Sequence, residues 1–84
     1  MLIGAKLQGA DLTFADFQGA KLIGTALQGA DLSGAEMHEA DLFRAKNLTI
    51  DQLSKTKSLY HAKLDPELME QVKKICPYLL KESI

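Results

Sequence analysis

The sequence predicts an all-β solenoid closed at its C-terminal end by short α-helices. Three observations carry this. Leu2, Leu7, Leu12, Phe17, Leu22, Leu27, Leu32, Met37 and Leu42 recur every fifth residue without a break. A small residue stands two places before most of them, as Ala5, Ala10, Ala15, Ala20, Thr25, Ala30, Ala35 and Ala40. After Ala45 the pattern gives way to segments with helix start signals.

A period of five fits neither ordinary element. On an α-helix five residues advance by about 500°, so successive leucines would wander around the cylinder. On a flat strand an odd period throws alternate leucines onto opposite faces. The chain must therefore bend once per repeat, always in the same sense. Gly4, Gly9, Gly19, Gly24, Gly29 and Gly34 sit two places after the central residue. Glycine there suits the third position of a type II turn, which needs φ > 0. Phe14, Glu39 and Arg44 occupy the same position elsewhere, so another turn type is expected at those corners.

The number of bends per coil follows from internal similarity. Residues 2–12 read LIGAKLQGADL and residues 22–32 read LIGTALQGADL, differing at two positions, Ala5/Thr25 and Lys6/Ala26. Offsets of ten or fifteen match worse. A twenty-residue superperiod means four repeats per coil and a square cross-section. Leu7, Leu12, Phe17, Leu22, Leu27, Leu32, Met37 and Leu42 form the expected core stack. Phe17 and Met37 then share a face in successive coils, and Phe17 is expected to be buried against Met37. Coils about 4.8 Å apart pair their backbones as in a parallel sheet, and stability accrues layer by layer.

Residues 5–44 resemble the pentapeptide-repeat family, whose pattern A-(D/N)-L-X-X is seen in Ala30-Asp31-Leu32-Ser33-Gly34. The resemblance implies a right-handed quadrilateral β-helix. Lys6, Lys21 and Ala26 depart from it, standing where Asp or Asn is usual.

The repeat region is expected to span residues 1–48 and a helical cap with a partial last coil residues 49–84. At Ala45-Lys46-Asn47-Leu48 one extra residue shifts the leucine. Thr49-Ile50-Asp51-Gln52 reads as a capping box, so a short helix is expected from about Ile50 to Lys55. Ala62-Lys63-Leu64 regains the repeat. Asp65 is a good N-cap and Pro66 suits the first helical position. Leu68, Val72, Ile75 and Leu79 mark an apolar stripe, and Pro77 should end or kink the helix near Ile75. The stripe would cover the last coil. The segment from Leu59 to Leu80 also resembles, more loosely, the tail that follows the repeats in some bacterial pentapeptide proteins.

Composition narrows the function. The 84 residues allow one domain, and a net charge of −1 gives no global drive toward nucleic acid or membrane. One cysteine, Cys76, cannot form an internal disulfide, which suits a reducing compartment. The N-terminus has no apolar signal region, and no apolar run approaches the roughly 18 residues of a membrane span. A cytoplasmic protein is expected. His38 falls on an outward repeat position, and Cys76 reads as a small buried hydrophobe rather than a nucleophile. No catalytic grouping, metal ligand set or cofactor fingerprint appears, so neither an enzyme nor a cofactor or small-molecule substrate is expected.

The leading expectation is a non-enzymatic protein-protein interaction or scaffold module whose partner the sequence does not name. The alternatives are a terminal fragment of a longer repeat protein and a DNA-mimicking dimer acting on DNA gyrase. The second follows from the resemblance, since some pentapeptide-repeat proteins protect gyrase in this way. Asp11, Asp16, Asp31, Glu36 and Asp41 supply an acidic ladder, diluted by Lys6, Lys21 and Arg44. Duplex DNA carries about one charge per 1.7 Å, whereas two or three coils span only about 10–14 Å. Direct binding of nucleic acid is not expected. Self-association is expected at the N-terminal coil, through Leu2, Ile3, Ala5 and Leu7, because no segment precedes them to cover the apolar end and its unpaired backbone.

Overall fold

The computed structural model describes residues 3–81. Its repeat region is organised by parallel bridges between residues twenty apart: Lys6 with Ala26, Asp11 with Asp31, Asp16 with Glu36, Lys21 with Asp41, and Ala26 with Lys46. The chain thus returns past itself every four pentapeptides, in the register that the twenty-residue superperiod predicts. Each contact is an isolated bridge, and no strand longer than that forms among the described residues. The reason is geometric: a bend every five residues interrupts the pairing before two consecutive bridges can form.

Hydrogen bonds run both ways between successive layers. Ala26, Asp31, Glu36 and Asp41 donate their N–H groups back to the carbonyls of Ala5, Ala10, Ala15 and Ala20 at 2.9–3.0 Å. Leu7, Leu12, Phe17 and Leu22 donate forward to Ala26, Asp31, Glu36 and Asp41 at 2.8–2.9 Å. Within each corner the small residue donates to the preceding central residue, as Ala10 to Leu7 at 3.1 Å.

The corners without glycine overturn one expectation. Phe14, Glu39 and Arg44 take φ of 59°, 62° and 60°, within a few degrees of the 67–70° of the glycine corners. They also close the same hydrogen bond, with Ala15, Ala40 and Ala45 donating to Leu12, Met37 and Leu42. No other turn type is used. The stack allows one rise per layer, so the corner geometry is imposed and these residues bear the left-handed strain.

The interior fills as layers are covered. Leu22, Leu27, Leu32, Met37 and Leu42 are at most 1% exposed, whereas Leu7, Leu12 and Phe17 in the first layer are half-buried and pack against that core. Phe17 is therefore not the fully buried residue expected from the sequence. Burial here needs a layer on both sides, and among the described residues the first layer has one on only one side.

The third layer departs from the pattern. Its bridges, Glu36 with Ser58 and Asp41 with Lys63, are offset by 22 residues, so two residues are added between Lys46 and Ser58. They are used in α1 (Ile50–Ser54), which replaces one side of the layer and sends Leu53 into the core. The capping box forms as expected: the Thr49 hydroxyl accepts from Gln52 N and the Gln52 carbonyl oxygen accepts from Thr49 N.

The helix α2 (Pro66–Ile75) follows, with Pro66 in its first turn, and ends one residue before Cys76. Cys76 precedes Pro77, which bars it from the helical region. A 3-10 helix, Pro77–Leu80, then carries Leu79 back, and Leu79 O accepts from Leu59 N at 2.8 Å. Val72, Cys76 and Leu79 are buried, but Ile75 is 60% exposed. The buried stripe runs from Val72 to Cys76, four residues on, and the break at Pro77 leaves Ile75 outside it.

Candidate interaction surface

Each pentapeptide points its central side chain inward and the residues on either side of it outward. The bridges stack these outward positions into ladders. On the residue after the centre, the ladders read Gln8 and Gln28, Thr13 and Ser33, Gln18 and His38, and finally Ile3, Ile23 and Phe43. One ladder alone is apolar. Its rungs are tied together, with Gly4 N donating to Ile23 O at 2.8 Å and Gly24 N to Phe43 O at 3.0 Å. Ile3 is 56% and Phe43 42% exposed, and the Arg44 guanidinium lies 5.5 Å from the Phe43 ring centroid. Beside it Lys21, Asp41 and Lys63 bridge in series, giving the apolar stripe a charged flank of mixed sign.

The other acidic residues of the repeat fall elsewhere. Asp11 bridges Asp31, and Asp16 bridges Glu36. Lys6 shares its ladder with Ala26 and Lys46. The dilution of the acidic face expected from the sequence occurs at Asp41, which stands between Lys21 and Lys63 on one ladder, whereas Lys6 stands on a ladder with no acidic residue. Positive charge also enters from the third layer, where Lys57 pairs with Glu36 at 3.3 Å.

The aspartates also have a local task. The carboxylates of Asp11, Asp16, Asp31 and Asp41 each accept the N–H two residues on, at 3.0–3.1 Å. This Asx-turn geometry fixes the entry to the corner. The Thr13 hydroxyl and then its N–H hold the Asp11 carboxyl below its ordinary pKa, and Ser33 does the same for Asp31.

Other reactive side chains are scattered. Leu2 lies outside the described residues; of the remaining N-terminal candidates Ile3 is exposed, and Ala5 and Leu7 are half-buried. His38 is half-buried, and the His61 ring stacks on Tyr60 at 3.9 Å. Cys76 is buried, and burial pushes its thiol pKa up. No cluster of three potential metal ligands occurs among the described residues.

The family described as pentapeptide repeats matches this chain in 8 copies, over residues 1–34 and 10–46. The chain belongs to the pentapeptide-repeat family. That match ends at Lys46, the last residue to keep the twenty-residue register. No curated protein matches the chain. Among the residues of this pentapeptide-repeat protein, Ile23 and Phe43 were not singled out from the sequence. Their signal was legible there: with a superperiod of twenty, only positions 3, 23 and 43 place an apolar residue after the centre.

Proposed function

We infer that the chain is a right-handed quadrilateral β-helix with a helical cap, acting as a non-enzymatic protein-interaction module. Its contact surface is the ladder Ile3, Ile23 and Phe43. The supporting observation is that this ladder is apolar, with Ile3 and Phe43 exposed and Ile23 half-buried, while the equivalent positions on the other sides of the first two layers are polar. Exposed apolar side chains grouped on a rigid face, beside charges of both signs, suit a protein partner more than a polyanion. The buried, unpaired Cys76 fits a reducing cytoplasm.

Site-specific photo-crosslinking tests this. A benzophenone side chain at position 43 should yield a discrete crosslinked protein in cells, and the same group at position 18 should not. Equal labelling at both positions would overturn the assignment. Because the ladder includes Ile3, analytical ultracentrifugation of the wild type and of Ile3→Glu distinguishes a second copy from a different protein.

The gyrase reading keeps one supporting observation, the acidic ladders Asp11–Asp31 and Asp16–Glu36 on adjacent sides of the layers. Each is two rungs tall before Lys55 and Lys57 of the third layer intervene. A supercoiling assay with purified gyrase, with and without inhibitor, separates the two readings.

A further inference from the structure

The point where α1 leaves the third layer opens a groove of about 300 Å³. Residues 29–33 line one side, and Asp51, Gln52 and Lys55 the other. Its floor interrupts a regular series of hydrogen bonds. In the first layer Gly9 N donates forward to Gln28 O at 2.8 Å and Leu12 N to Asp31 O at 2.9 Å. In the second layer Gly24, Leu27, Gly34, Met37, Glu39 and Leu42 donate forward in the same way. Between them Gly29 N and Leu32 N have no acceptor among the described residues. Leu32 is 1% exposed, so bulk water does not serve its N–H freely, and a buried orphan donor is costly. The carbonyl between the two donors, Ala30 O, is already satisfied by Gln52 Nε2 at 2.9 Å.

We propose that this groove binds an extended peptide main chain, whose carbonyls accept from Gly29 N–H and Leu32 N–H and complete the missing rung. The spacing supports this: the same two corner positions in the first layer are matched by carbonyls three residues apart on one chain, those of Gln28 and Asp31. The surrounding charge selects an amide over a free anion. Asp31 and Asp51 both line the groove, and Lys55, its one cation, is paired with Asp51 at 3.5 Å. An anion would meet two carboxylates, whereas a peptide brings its own N–H donors to face them. Backbone pairing of this kind is strand addition at an open edge. The groove lies on a different side of the layers from the apolar ladder, so the two assignments stand independently.

The probe is acetyl-Gln-Gly-Ala-Lys-amide, the sequence of residues 18–21, whose end residues place two carbonyls at the required spacing. Titrated at millimolar concentration into 15N-labelled protein, it should shift the Gly29 and Leu32 amide resonances saturably. Ser33→Phe, which fills the groove from an outward position where Phe43 shows that Phe is tolerated, should abolish the shifts in a protein that remains folded by its amide spectrum. Equal shifts with inorganic phosphate would reassign the groove to anions and overturn the proposal. No saturable shift at Gly29 and Leu32 would mean that water alone occupies it, and would overturn it as well.

Discussion

The Asp65 carboxylate accepts the Arg44 N–H at 2.9 Å, in the place that a main-chain carbonyl takes one layer earlier. Gly4 donates to Ile23 O and Gly24 to Phe43 O; Arg44 is the next corner in that series, and the side chain of Asp65 stands in for the missing backbone. Asp65 also holds the N-cap position of α2, yet makes no side-chain cap there. The sequence places it correctly at the helix start, but its carboxylate serves the corner and not the helix.

Replacing Asp65 should therefore act on the repeat. Asp65→Ala is expected to cost about 1 kcal/mol, the scale of one exposed hydrogen bond to a charged group after solvent screening. Asp65→Asn keeps an acceptor and should cost less. Urea denaturation resolves the difference; equal losses would mean that the Arg44 contact contributes nothing.

Gln52 is the more demanding position. Its carbonyl oxygen closes the capping box on Thr49, and its Nε2 donates to Leu27 O at 2.7 Å and to Ala30 O at 2.9 Å. Gln52→Ala is expected to cost about 2–3 kcal/mol, from two part-buried hydrogen bonds and the box. Gln52→Glu keeps the size and the box but loses both donors and turns a carboxylate toward two carbonyls. It should be at least as destabilising as alanine. Thermal unfolding that ranked Glu near the wild type would contradict these roles.

The layered core predicts an order of sensitivity. Met37 is 0% exposed and Phe17 only half-buried. Met37→Ala should cost about 2–5 kcal/mol, in the range for a fully enclosed side chain. Phe17→Ala, despite removing more atoms, should fall below it, at about 1–3 kcal/mol. Chemical denaturation of the two variants gives the ranking, and a reversed order would mean that the first layer is covered in solution.

Acid should weaken the corners held by Asp11 and Asp31. Asp11 and Asp31 both titrate below the ordinary value of 3.8, chiefly through the Thr13 and Ser33 hydroxyls. A folded-state pKa that is depressed contributes stability that is fully present above the unfolded value, and that contribution is lost as pH falls through the folded one. The loss therefore belongs below pH 3.8. Carboxyl NMR titration should place both midpoints under that value, and Thr13→Ala and Ser33→Ala should each raise the midpoint of the aspartate beside it. Unchanged midpoints in the alanine variants would dismiss the hydroxyls as the cause.

By itself the sequence determined the features that a five-residue unit dictates locally. A central Leu every fifth place, a small residue before it and a bend after it leave one way to stack, so the twenty-residue register was legible in residues 2–12 against 22–32. Thr49 with Gln52, and Pro66 with Pro77, likewise set helix ends, because capping and proline act within a few residues. The tertiary structure decided whatever depends on the layer above or below. Phe14, Glu39 and Arg44 take left-handed corners because their neighbouring layers fix the rise. Ile75 faces solvent because the turn at Cys76 swings Leu79 back beneath Leu59. Gln52 and Asp65 replace absent backbone, and Gly29 N and Leu32 N are left without acceptors, because the third layer departs from the register by two residues. A hydrogen bond between residues twenty or more apart depends on where each layer ends, and no local pattern carries that information.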